Sequence, residues 1–207
     1  MSKDSEFNFT ALKLCVVFIL VYGLQVFYGF EPGFNASNSP FWKFFTSIFG
    51  HSGLEHLFNN IFFIGLFGSI LELLSSPRTL IVTFLISALF ANLSAFVFFP
   101  ETFIIGASGG GMGILAALAV YKPNKIGLAL GVPLPMWAAL GAYIFINVAG
   151  LTAINNTAYE AHLLGMIIGA VVGLYLREET EKTDEDRLEE ENWRKRIREW
   201  EDKWMMN

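Results

Sequence analysis

Apolar residues run through most of this chain in long blocks, broken by short joints that carry prolines, glycines or a lone charge. Each block approaches the roughly 20 residues that a helix needs to cross a bilayer. The blocks predict helical spans over about Thr10–Phe30, Ser52–Leu74, Pro77–Phe99, Ser108–Tyr121, Pro135–Val148 and Tyr159–Leu176. A start for the fifth as early as Ile126 is open, with Pro133 and Pro135 making its beginning irregular. Faces that are apolar all round belong to a membrane interior rather than to the amphipathic pattern of a soluble helix. The fold predicted is an all-α, polytopic bundle of six transmembrane helices.

Charge sharpens the division. Of 207 residues, 54% are hydrophobic and 16% charged, against about 25% charged in an average soluble domain. The last 31 residues hold 20 of the 33 charges. Residues 1–176 therefore form the membrane core and 177–207 a charged tail. Within the tail, Trp193, Ile197, Trp200 and Trp204 fall on one helical stripe. That stripe suits docking on the membrane or a partner, and equally a solvated tail.

Composition also excludes several classes. There is no broad basic patch for nucleic acid. The lone Cys15 allows neither an internal disulfide nor a zinc cluster. The run from Ala11 to Phe30 exceeds a signal-peptide h-region, so it is expected to stay as a helix.

Lysine and arginine set the expected orientation. Lys3, Lys13, Arg78, Lys122, Lys125 and the tail's basic residues fall on one side, with only Lys43 opposite. Both termini are thus expected in the cytoplasm. On that map His51, His56, Ser108 and His162 all lie near the starts of spans that begin on the non-cytoplasmic side. The aromatic stretch between Glu31 and Gly50, with Phe41, Trp42, Phe44, Phe45 and Phe49, suits an element lying in the interface, the alternative being a plain loop.

Ser108 follows Gly106 and Ala107 and precedes Gly109, Gly110 and Gly111. A serine at a helix N-terminus meets free backbone N–H groups and the positive end of the macrodipole, which is what a developing oxyanion requires. The plainer reading is a helix cap followed by packing glycines. His162 is followed by Gly165, Gly169 and Gly173, a ridge that allows very close helix packing. Packed against Gly109 and Gly113, it would bring His162 to Ser108 as general base to nucleophile. Taken alone, His162 could equally be a proton relay, a ligand or a satisfied polar contact. No aspartate occurs between Phe7 and Thr183, so a dyad rather than a triad is expected, and an aspartyl mechanism is excluded. The absence of His-Glu-x-x-His removes the zinc-protease pattern. His56 and Asn60 share a face of the second span and can donate to an oxyanion or form an interhelical network. Ser52-x-x-Glu55 reads as a capping box for that span. His51 reads as structural or water-holding.

Taken together, His51-x4-His56-x3-Asn60, Gly106-x-Ser108-Gly109 and Ala161-His162-x2-Gly165-x3-Gly169 resemble the signature of the rhomboid proteases. Trp42 matches the aromatic of that family's first-loop motif and Glu72 its second-helix acidic residue. The resemblance implies a six-helix rhomboid-like bundle and an intramembrane serine endopeptidase. It also implies a Ser108–His162 dyad, an oxyanion site from His56, Asn60 and the Ser108 amide, and single-span transmembrane substrates. Two positions depart from the pattern. Lys43 stands where the family often has arginine, and Met112 stands where an aromatic commonly packs on the histidine. No metal or organic cofactor is implied. The alternative is a catalytically inactive rhomboid-like binder of membrane proteins. A further alternative, a small transporter, lacks inverted repeats and span-centre carboxylates. The loop from about Asn147 to Tyr159 is expected to act as a lid.

Overall fold

The computed structural model describes residues 8–98, 100–152 and 157–205, apart from the side chains of 202–204. Lys3, Phe99, the 153–156 part of the expected lid and the Trp204 side chain lie outside that set.

The helices are α1 (Thr10–Tyr28), α2 (Lys43–Thr46), α3 (Leu54–Leu74), α4 (Pro77–Phe98), α5 (Ser108–Tyr121), α6 (Met136–Gly150) and α7 (Tyr159–Trp204). Among the described residues, α1, α3, α4 and α7 are long and apolar enough to cross a membrane; α5 and α6 are apolar and shorter. Their inward faces meet in one core that includes Phe18, Phe67, Leu71, Phe84, Leu115 and Leu118. Their outward faces are equally apolar: Leu20, Val26, Phe62, Phe90, Phe145 and Val171 are exposed. A surface so apolar needs hydrocarbon around it. The protein is an integral membrane protein.

Local chemistry explains the helix ends. Ser76 caps α4, its hydroxyl accepting the Thr79 N–H at 3.0 Å, and Pro77 takes the first helical position, where no N–H is needed. Gly29 closes α1 at φ 67°. The capping box expected at Ser52 and Glu55 does not form. The α3 N-cap is Gly53, with no side-chain cap bond, because the Ser52 hydroxyl lies instead against the His56 ring, 3.0 Å from Nδ1.

Residues 126–135 are not the start of a span. Ile126–Ala129 (β1) and Val132–Pro135 (β2) pair as an antiparallel hairpin. Leu130 and Gly131, at φ 53° and 80°, form a two-residue turn with both φ positive, the twist that flanking strands favour. The hairpin leads directly into α6, whose first N–H groups bond back to Lys125 O and Pro123 O at 2.9 and 3.1 Å.

The segment between α1 and α3 is structured. It contains α2 and a 3-10 turn at Ser47–Phe49, and Phe34 and Phe44 join Ala95 and Ile104 in a second small core. Asn92 of α4 pins it, donating to Phe44 O and Ser47 Oγ at 2.7 and 2.9 Å. Phe41, Trp42 and Phe45 remain exposed on this element, as an interfacial segment requires. Beyond Leu176, α7 continues without a break into the charged tail as part of one 46-residue helix.

Candidate active site

Glycine decides how closely α5 and α7 approach. A Cβ at Gly165 would strike Gly109 O, one at Gly169 would strike Gly113 O, and one at Gly173 would lie 2.6 Å from Ala117 O. Backbone thus lies on backbone along the seam. At its upper end, Ser108 Oγ and His162 Nε2 are 2.7 Å apart, the distance of a good hydrogen bond. Ser108 is the first residue of α5, where backbone N–H groups have no intrahelical partner.

A buried amide lies on the far side of the imidazole. Asn147 Oδ1 stands 2.8 Å from His162 Nδ1, and its Nδ2 donates to Tyr143 O at 2.7 Å. The sequence offered Asn147 only as the beginning of a lid loop; it belongs to α6 and is buried. Its signal was that of a lone amide in an otherwise apolar helix, at a depth that hydropathy does not report.

His56 and Asn60 line the same open cavity as Ser108 and His162, which has a volume of about 1760 Å³. The Ser52 N–H points to His56 Nδ1 at 3.4 Å, making Nδ1 an acceptor and leaving Nε2 with the ring proton. That Nε2 faces Gly106, where a Cβ would lie 2.8 Å away. Gly106 is also held at φ 134°, a conformation suited to glycine, by its N–H bond to Ser47 O at 2.9 Å. Asn60 is buried and donates one amide hydrogen to His56 O at 2.9 Å, leaving the second for another acceptor.

The supporting residues divide. Gly109 belongs to the α5–α7 seam. The peptide of His51 is clamped by Gln25 of α1, which accepts from its N–H and donates to its carbonyl, both at 2.9 Å. The His51 ring meets Phe18 and His56 edge-on at 5.4 and 5.2 Å. Burial, with His56 alongside, lowers His51 to about 4, so it stays neutral. Neither ring nitrogen has a protein hydrogen-bond partner among the described residues.

Trp42 is outside the cavity, stacked on Phe30 at 6.5 Å. The departure at Lys43 is absorbed by cation–π contacts to Trp42 and Phe103 at 5.7 and 5.9 Å. Met112 lines the cavity, but the aromatic neighbour of His162 is Tyr159, edge-on at 6.4 Å. Glu72 is remote, at the other end of α3. Its buried carboxylate accepts the Thr10 and Ala11 N–H groups at 3.0 and 3.1 Å, neutralising the N-terminus of α1. Among the described residues no cluster of histidine, cysteine and carboxylates is arranged to hold a metal.

A sequence model of the Rhomboid domain matches residues 38–179. The chain belongs to the rhomboid family. This rhomboid is 30% identical over 147 residues to the chloroplastic rhomboid-like protein 11 of Arabidopsis thaliana, covering 65% of this chain and 52% of that one. It is 26% identical over 153 residues to rhomboid-like protease 3 of Toxoplasma gondii, covering 73% and 57%. It is 27% identical over 153 residues to the mitochondrial rhomboid protein 1 of Saccharomyces cerevisiae, covering 69% and 44%. The rhomboid chain spans about half the length of these relatives.

Proposed function

We propose that this rhomboid is an intramembrane serine endopeptidase that cuts single-span membrane proteins. The observation that carries the reading is the 2.7 Å contact between Ser108 Oγ and His162 Nε2 beside an open polar cavity. Ser108 Oγ attacks the scissile carbonyl while His162 Nε2 takes its proton. Negative charge then gathers on the carbonyl oxygen, against the Ser108 N–H, His56 Nε2–H and the second Asn60 amide hydrogen. Collapse passes the proton from His162 to the leaving amine. Water, activated by the same imidazole, then releases the acyl group.

The core spans the membrane six times, with both termini in the cytoplasm and the cavity opening on the opposite side. Helix length supports a site within the bilayer. The 14 residues of α5 rise about 21 Å, against a hydrocarbon thickness of about 30 Å. Its N-terminus, carrying Ser108, therefore stops short of one surface, and the cavity supplies a route for water.

The test is cleavage of a generic transmembrane substrate by wild type, Ser108→Ala and His162→Ala, with a chelator present. Wild-type cleavage with both variants inert supports a metal-free dyad. If folded wild type cuts none of several substrates, and a fluorophosphonate leaves Ser108 unlabelled, the inactive-binder reading replaces it.

A further inference from the structure

We propose that Asn147 is a positioning residue for His162, holding the imidazole in the tautomer with its proton on Nδ1. The inference rests on the reading of Ser108 and His162 as nucleophile and base. A general base must present a bare lone pair to the hydroxyl it deprotonates, so Nε2 can act only while Nδ1 carries the ring proton.

The amide of Asn147 imposes that state through a short chain of bonds. Tyr143 O can only accept, so the Asn147 group donating to it at 2.7 Å is Nδ2. Oδ1 is thereby turned toward His162 Nδ1 at 2.8 Å. An amide oxygen can only accept, so Nδ1 donates. The other tautomer would set two acceptors against each other, and flipping the amide would set its oxygen against Tyr143 O. Asn147 is 2% exposed, so water has little access to relieve either mismatch. When His162 takes the Ser108 proton, the same oxygen remains on the Nδ1–H of the imidazolium and holds the ring in its plane.

The rest of α6 is built to keep Asn147 there. Its start is tied to residues 123 and 125, and Tyr143 packs edge-on against Phe63 of α3 at 5.3 Å. Gly150, one turn beyond Asn147, has room for the Tyr159 ring where a Cβ would clash. The last turn of α6 therefore closes on the start of α7. Outward, Phe145 and Val148 are exposed, so the polar contact to α7 is made by the amide.

The chain has three histidines, so nitrogen-15 NMR of the histidine-labelled protein in detergent, with Ser108→Ala and His162→Ala alongside, resolves the ring directly. Wild type is expected to show His162 protonated at Nδ1. In Asn147→Leu and Asn147→Ala, the Nε2-protonated form should gain, kcat should fall roughly 10- to 100-fold with KM little changed, and melting should stay near wild type. Asn147→Asp keeps an acceptor toward His162 Nδ1 and, as the protonated acid, a donor toward Tyr143 O, so it should restore the Nδ1 tautomer and much of kcat. An unchanged His162 tautomer in whichever of the Leu and Ala variants folds overturns the inference. So does loss of activity that Asp fails to rescue while the tautomer stays put. Should wild type itself cleave nothing, the protease reading fails, and the tautomer measurement still judges the Asn147 contact.

Discussion

Up to Leu176, α7 lies against α5 with Gly165, Gly169 and Gly173 pressed on backbone; past Thr180, whose hydroxyl still meets Tyr121 Oη at 3.3 Å, the same helix is bare. Residues 181–201 are exposed throughout, and the ion pairs there, Arg187 with Asp184, Arg194 with Glu190 at 2.6 Å and Lys195 with Glu199 at 3.9 Å, join neighbours one turn apart. Trp193 and Trp200 stand in the open, 55% and 57% exposed. One half is held by tertiary contact and carries His162, which meets Ser108. The other is helical through local propensity and weak surface pairs. Helicity alone therefore says nothing about which part of α7 is needed.

Filling the seam should break the packed half most severely. Gly169→Leu sets a branched side chain against Gly113 O and should cost roughly 3 kcal/mol, abolishing cleavage; thermal unfolding in detergent with a parallel activity assay checks it. Wild-type melting in that variant would mean the seam is loose.

Asn60→Ala asks whether the seam is sufficient for activity. The variant should fold and lose about 2.7–4 kcal/mol of transition-state stabilisation, read as a lower kcat. An unchanged kcat would remove Asn60 from the oxyanion site.

Gly150→Ala is gentler, pushing the Tyr159 ring and spreading the ends of α6 and α7. A several-fold drop in kcat at near-normal stability is expected. Smallest of all is deletion of residues 185–207, which should leave cleavage in detergent unchanged. Loss of activity in a well-folded truncation would show that the bare half supports the packed one.

Much of this was legible in the chain. The ends of α3, α5 and the start of α7 follow from apolar runs bounded by Gly, Pro and charge. The glycine ridge after His162 foretold the approach to Gly109 and Gly113, because small residues four apart recur on one face of any helix. Other expectations failed for a common reason. Ser52 had two partners within reach, the N-terminus of α3 and the His56 ring, and spacing alone could not choose. Ile126–Pro135 is apolar enough to extend a span, yet a turn with Leu130 at positive φ makes it a hairpin.

Sequence by itself determined the membrane character, the approximate helices, the α5–α7 seam and the residue types able to form a nucleophile and base. These depend on local hydropathy and on helical periodicity, both written along the chain. Tertiary structure alone decided that Asn147 faces His162, that Gln25 clamps the His51 peptide, and that Glu72 caps α1 far from the cavity. A helix that is apolar on every side carries no mark of which way it is turned. Its rotation is set by the neighbours it packs against, and so is the partner that each of its few polar groups meets.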